Sequence, residues 1–224
     1  MNLIDYPDQD MMMLDLADQI ASELVMALEH GERASLAVPG GSTPGPIFDA
    51  LCAADLDWSR VDVMLTDERW VPETHPRSNT ALLRDRLLTS RAAKANLIPL
   101  YHPTETPEES VEALADRIEG CLPLSVVLLG MGEDMHTASL FPGADRLEEA
   151  LAPHAPALLP MRAPGAVEPR MTLSARVLNS AVNKHLVITG RLKRDALARA
   201  MNAEDAMEAP VKIVLGAMTV HWAA

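Results

Sequence analysis

The residues of this chain best suited to chemistry crowd into the run Ser125–Gly143, SVVLLGMGEDMHTASLFPG, where Asp134 precedes His136 by two positions. An imidazole titrates near working pH, so a histidine in that setting is placed to exchange protons. Most loop histidines do no chemistry, and the weight of this one depends on its neighbours. Two other stretches offer matching chemistry. Pro39-Gly40-Gly41-Ser42-Thr43-Pro44-Gly45 exposes backbone N–H groups beside the positive end of a following helix, which together make an anion site. It lacks the third glycine of a dinucleotide fingerprint and the Gly-Lys-Ser/Thr of a Walker loop. Asp67-Glu68-Arg69 sets two carboxylates beside a guanidinium. On a surface such a cluster carries little energy, but in a crevice Arg69 offers the planar fork that phosphate recognition favours.

The elements that must carry these residues read as alternating strands and helices. Val126–Leu129, between Pro123 and Gly130, is a short apolar run of the kind that forms a buried parallel strand. Gly130 and Gly132 permit a tight turn at its carboxyl end, and Thr137–Leu140 predicts one helical turn stopped before Pro142. Ser35–Val38 and Val61–Thr66 predict two further strands, each running into one of the reactive stretches, with Ser42 or Thr43 capping the helix after the glycines. In an open α/β sheet, ligands bind in the crevice beyond the strand carboxyl ends. Ala17, Ile20, Ala21, Leu24 and Leu28 mark an amphipathic helix over 13–30. Thr106 and Glu109 have the spacing of a capping box ahead of a helix with Val111, Leu114, Ala115 and Ile118 buried. A Pro/Ala-rich connection, 152–169, holds one short strand near 157–161 and leads to Ser174, which can cap a helix. Lys184–Thr189 predicts a strand, Gly190–Met201 a helix, and Met218–Trp222 an edge strand.

Length and composition bound the rest. With 224 residues the chain suits a single α/β domain, 1–224, with a substantial aliphatic core, since only 3% of residues are aromatic. A net charge of −13 argues against a nucleic-acid or acidic-membrane partner, so an anionic ligand needs a local basic patch. Cys52 and Cys121 stand in no metal-ligand spacing and read as two buried, reduced thiols. Aspartates flank Met11–Leu14, which therefore does not read as a signal segment, and no apolar run is long enough for a bilayer; the expectation is a cytoplasmic protein. His136 has no partner histidine at ligand spacing, so neither a metal nor a cofactor is implied.

Five stretches in order, from Gly40 to Lys193, resemble the motifs of the 6-phosphogluconolactonases and, more loosely, of the related glucosamine-6-phosphate deaminases. They are Gly-Gly-Ser-Thr-Pro at Gly40, Asp-Glu-Arg at Asp67 with Ser78-Asn79 after it, the His136 run, Pro-Arg-x-Thr-Leu at Pro169, and Gly-x-x-Lys at Gly190. The family has a glycine before the histidine where this chain has Met135, and the deaminases usually have an aromatic where it has Arg69. The resemblance implies a three-layer α/β fold, a mostly parallel Rossmann-like sheet flanked by helices, shared by sugar-phosphate isomerases and deaminases. It implies hydrolysis of 6-phospho-D-glucono-1,5-lactone with His136 as general base, assisted by Asp134, by a monomer or small homo-oligomer. Gly41, Ser42, Thr43, Asp67, Arg69, Asn79, Arg170 and Lys193 would bind the phosphosugar. Two alternatives stay open: a deaminase or isomerase using His136 for ring opening and Asp67 for proton transfer, and a non-catalytic sugar-phosphate sensor.

Overall fold

Short aliphatic runs separated by helix-length segments fold here as a parallel sheet covered by helices, in a computed structural model that describes all 224 residues. In chain order the elements are β1 (Asn2–Asp5), α1 (Gln9–His30), β2 (Ala34–Val38), α2 (Gly45–Leu51), β3 (Val61–Leu65), β4 (Asp67–Arg69), α3 (Asn79–Arg86), β5 (Asn96–Ile98), α4 (Val111–Glu119), β6 (Val126–Gly130), α5 (Leu147–Leu151), β7 (Leu158–Met161), β8 (Arg170–Leu173), α6 (Ala175–Ser180), β9 (Asn183–Thr189), α7 (Gly190–Asn202) and β10 (Thr219–Ala223). Seven strands pair in the order β1-β10-β9-β6-β2-β3-β5, and every pairing is parallel. From β2 the chain moves one way, to β3 and β5; from β6 it moves the other way, to β9 and β10. The sheet therefore reverses its winding between β2 and β6, and their carboxyl ends carry the glycine-rich loop and the His136 loop. A crevice opens where neighbouring connections leave on opposite sides.

Three strands form a second, antiparallel sheet in the order β4-β8-β7. Its β7 matches the strand predicted near 157–161, but β4 and β8 were not predicted as strands. Only Thr66 separates β4 from β3, so one extended run serves two sheets. Arg69 pairs with Arg170 across this ribbon. The two arginines are thus strand neighbours rather than residues of strand-to-helix turns. One cluster of 58 buried apolar residues includes Leu36, Val63 and Leu128 of the large sheet together with Leu158, Met171 and Leu173 of the small one. The ribbon has no separate core, so its position is fixed by the same packing that fixes the main sheet.

Other expectations are corrected. The strand at the carboxyl end is interior, because the four residues of β1 pair on its outer side and become the edge. Thr137–Leu140 makes a reverse bridge between its two ends, with Ala138 at φ +49°, instead of a helical turn. Neither Ser42 nor Thr43 caps α2: Pro44 occupies the N-cap position without a side-chain bond, which leaves both hydroxyls to the loop. Cys52 is buried but Cys121 is half-buried, and both are free. The capping box predicted at Thr106 is formed, though it opens a short 3₁₀ turn over Pro107–Glu109 ahead of α4. No helix is long and apolar enough to cross a membrane.

Helix α1 shows how a long element is tied down at both ends. Asp8 accepts from the Met11 amide at its start, and the Arg60 guanidinium donates to the carbonyls of Leu28, Gly31 and Glu32 at its end. It also supplies carboxylates to the polar groups that the sheet buries. The Glu23 carboxylate meets His185 Nε2 at 2.8 Å, His185 Nδ1 meets His221 Nε2 at 3.0 Å, His221 Nδ1 meets the Tyr6 hydroxyl at 3.0 Å, and Tyr6 donates to Asp15 at 2.5 Å. His185 and His221 are buried, so this chain of bonds is what makes them tolerable inside.

Candidate active site

At the carboxyl ends of β2, β6 and β9 lies a cleft of about 400 Å³. Every site residue named from the sequence lines it except Asp134: Gly41, Ser42, Thr43, Asp67, Arg69, Asn79, His136, Arg170 and Lys193 all face the same space. The loops after β2 and β6 supply the glycines and the histidine, the ribbon supplies both arginines, and the start of α7 supplies Lys193.

Asp134 stands beside the imidazole. Its Oδ1 is 2.5 Å from His136 Nδ1 and also takes the His136 amide at 3.3 Å, an Asx turn that folds the loop back on itself. The hydrogen bond from His136 holds the Asp134 carboxyl below its ordinary pKa, with burial opposing. An ionised carboxylate only accepts, so Nδ1 carries the hydrogen, and in the neutral imidazole Nε2 is the nitrogen with the lone pair. The His136 side chain is 29% exposed and lines the cleft. Two backbone features make this geometry possible. A Cβ on Gly132 would stand 2.2 Å from His136 Nδ1 and 2.3 Å from Asp134 Oδ1, so only glycine lets the pair close over it. Met135 sits at φ +67°, the left-handed region where the family pattern has glycine. Hydrogen bonds from Met135 N to the Gly132 carbonyl and from Val211 N to the Met135 carbonyl hold it there, both at 3.0 Å. The chain thus keeps the glycine-like turn without the glycine.

The basic side is built by burial and by one internal clamp. Glu68 is fully buried and accepts from the amides of Arg69, Asn79 and Thr80 and from the hydroxyls of Ser78 and Thr80, all within 3.0 Å. A carboxylate at the first turn of α3 satisfies otherwise orphaned N–H groups and suits the positive helix end. Asn79 is thereby fixed: its Nδ2 donates to the Asp67 carbonyl at 3.0 Å, and its amide lies so close to Gly40 that a Cβ there would stand 2.0 Å from Oδ1. Asp67 is itself engaged. Ser139 donates to Oδ2 at 2.5 Å, and Arg170 Nη1 stands 3.9 Å from the same atom. Arg170 is only 9% exposed, its Nε has no partner, and burial pulls its guanidinium pKa down while Asp67 pushes it up. Arg69 donates to the Arg77 carbonyl at 2.7 Å and also keeps a buried Nε without a partner. Buried, under-partnered guanidinium groups are costly unless an anion completes them.

The chain matches the family model described as "Glucosamine-6-phosphate isomerases/6-phosphogluconolactonase" over residues 7–222. It is 44% identical over 214 residues to the 6-phosphogluconolactonase of Rhizobium meliloti (strain 1021), covering 93% of this chain and 92% of that protein. The chain belongs to this family. It is also 44% identical over 211 residues to the 6-phosphogluconolactonase of Pseudomonas aeruginosa, covering 92% of this chain and 88% of that one. A crystal structure of a 6-phosphogluconolactonase from Shewanella baltica OS155 superposes with a TM-score of 0.92 at 34% identity, over 100% of this chain and 97% of the other. A monomeric glucosamine-6-phosphate deaminase superposes at 0.78 with 14% identity, which shows the fold that the two branches share. Within the family the chain stands on the lactonase branch, and its enzyme class is lactone hydrolase.

Three participants escaped the sequence reading. In the sequence Glu68 reads as part of an ion cluster, yet it pairs with no cation and organises α3. Ser139 is fully buried and serves Asp67. Phe141 lines the cleft with its ring centroid 4.1 Å from that of His136. The chain has only two phenylalanines; Phe48 is in the core, which leaves Phe141 as the one beside a reactive motif, a signal that was available.

Proposed function

We propose that this chain hydrolyses 6-phospho-D-glucono-1,5-lactone to 6-phospho-D-gluconate with His136 as the general base. The observation that carries the reading is the sharing of one cleft by an imidazole with a free Nε2 and by Arg69, Arg170 and Lys193. The phosphate is held by the three cations and the Gly41–Thr43 loop, and this fixes the lactone carbonyl in register with His136. Water attacks that carbonyl as its proton passes to Nε2, and Asp134 stabilises the resulting imidazolium. The tetrahedral oxyanion then collapses, the bond from the carbonyl carbon to the ring oxygen breaks, and the imidazolium returns its proton to the departing alkoxide. One water is consumed and no covalent enzyme intermediate is needed, because a lactone carbonyl is already electrophilic. Ser139 is no rival nucleophile, since it is fully buried and bound to Asp67.

The deaminase reading requires Asp67 to move a proton at carbon. Its carboxylate already accepts from Ser139 and faces Arg170, which supports an anchoring role and favours the lactonase. The deciding experiment measures acid release from freshly generated lactone, above its spontaneous rate, in parallel with ammonia release from glucosamine 6-phosphate. Acid release with no ammonia is expected. Ammonia without acid release overturns the reading in favour of the deaminase, and binding of 6-phosphogluconate without turnover overturns it in favour of a sensor.

A further inference from the structure

The imidazole of His136 has a second neighbour besides Asp134. The Phe141 ring lies against it with centroids 4.1 Å apart and planes inclined by 32°, and Arg170 Cζ stands 5.8 Å from the same Phe141 centroid. One aromatic ring thus touches both the group that must gain a proton and a cation of the phosphate side. Phe141 is well placed to be rigid. The Thr137–Leu140 bridge precedes it, Leu140 is fully buried, and the Phe141 carbonyl takes the Ala144 amide at 3.1 Å. A phenylalanine recruited only for the core would be buried as Phe48 is; Phe141 instead stays half-buried in the cleft wall.

Asp134 cannot fix the imidazole unaided. Its side chain is 53% exposed, and a single hydrogen bond to the ring restrains Nδ1 without by itself fixing the ring plane. A flat wall at stacking distance removes that freedom. The face of the wall is also the negative part of its quadrupole, which favours the imidazolium formed when His136 takes a proton.

We propose that Phe141 is a positioning residue: its ring sets the plane of the His136 imidazole while Asp134 sets its rotation, and together they aim Nε2 into the cleft. The inference rests on the lactonase reading above, with His136 as base. The test compares Phe141→Leu, which keeps apolar bulk and loses the aromatic face, with Phe141→Tyr, which keeps the face. For Phe141→Leu, kcat is expected to fall roughly ten- to a hundredfold, the scale of a misaligned reacting group, while KM changes by less than about threefold. Phe141→Tyr should restore kcat to within about threefold of the parent. Should Phe141→Leu fail to fold, Phe141→Met replaces it in the same comparison. Equal losses in the leucine and tyrosine variants, or a loss carried mainly by KM, overturn the proposal. A second measurement does not depend on turnover: three-bond couplings across the His136 Cβ–Cγ bond in the free protein report whether the ring plane holds one rotamer. One rotamer in the parent and averaging in Phe141→Leu support the proposal; one rotamer in both overturns it. A parent that lacks lactonase activity overturns the functional reading, and the rotamer comparison still decides the role of Phe141.

Discussion

Two histidines in this protein hold a carboxylate through a ring nitrogen at nearly the same distance, in opposite settings. His136 meets Asp134 at 2.5 Å and His185 meets Glu23 at 2.8 Å. The difference lies in the second nitrogen. In His136 it has no partner and the ring lines a cleft; in His185 it is bound to His221, and the bond chain continues through Tyr6 to Asp15. A histidine–carboxylate pair is therefore no sign of catalysis by itself. What makes one a base is a lone pair left over and a route for solvent to reach it.

This contrast can be broken in four ways. The largest effect belongs to His136→Ala, which should lower kcat by about 10²–10⁴-fold with the thermal unfolding midpoint unmoved and calorimetric binding of 6-phosphogluconate retained. A comparable loss of stability would mean that this pair, too, is structural. The inner cluster should answer the other way. Burial, together with the neighbouring His185, holds the His221 pKa down at about 4 from an ordinary 6.5, so the unfolded chain binds a proton that the folded chain refuses. Stability from this source is complete above about pH 6.5 and falls as pH drops towards 4, by at most about 3 kcal/mol. Denaturant titrations at pH 7 and pH 4.5 should show that loss in the parent and a flatter response in His221→Gln, with kcat at neutral pH preserved in the variant. A steeper response in His221→Gln would remove His221 as the source.

Asp134→Asn is expected to cost roughly ten- to a hundredfold in kcat, less than loss of the base itself, because an amide oxygen still accepts from Nδ1–H but no longer stabilises the imidazolium. A loss as large as that of His136→Ala would make the carboxylate an equal partner in the proton transfer. The smallest effect is reserved for Met135→Gly. Relief of left-handed strain is worth about 1 kcal/mol, and the Met135 side chain, packed against the core, returns a similar amount when removed. The unfolding free energy should change by less than about 1 kcal/mol, measured by denaturant titration.

Much of the fold was readable because the relevant signals are local. The aliphatic runs of β2, β3, β6 and β9 and the apolar stripes of α1, α4 and α7 announce themselves within a few residues, and so do the turn glycines at Gly40, Gly41 and Gly132. What escaped depends on partners far along the chain. A strand as short as β4 has no periodicity of its own, and its existence follows from pairing with β8 about a hundred residues later. The four residues of β1 are a strand because β10 lies beside them. The same limit separates the two histidine pairs: Asp134 is two residues from His136, whereas Glu23 and His185 are 162 positions apart and nothing in the sequence joins them. For the cleft, the side chains could be named individually, but the Glu68 clamp and the Phe141 wall are properties of their assembly.

The ribbon that carries Arg69 opposite Arg170 has one more consequence. Successive side chains on a strand point to opposite faces, so sliding β8 by a single residue against β4 would turn Arg170 away and bring Pro169 or Met171 to its position. Both guanidinium groups depend on one alignment of two short strands, which makes the basic side of the cleft an all-or-nothing construction: any insertion or deletion in the 162–169 connection that shifts that alignment should abolish it outright instead of weakening it by degrees.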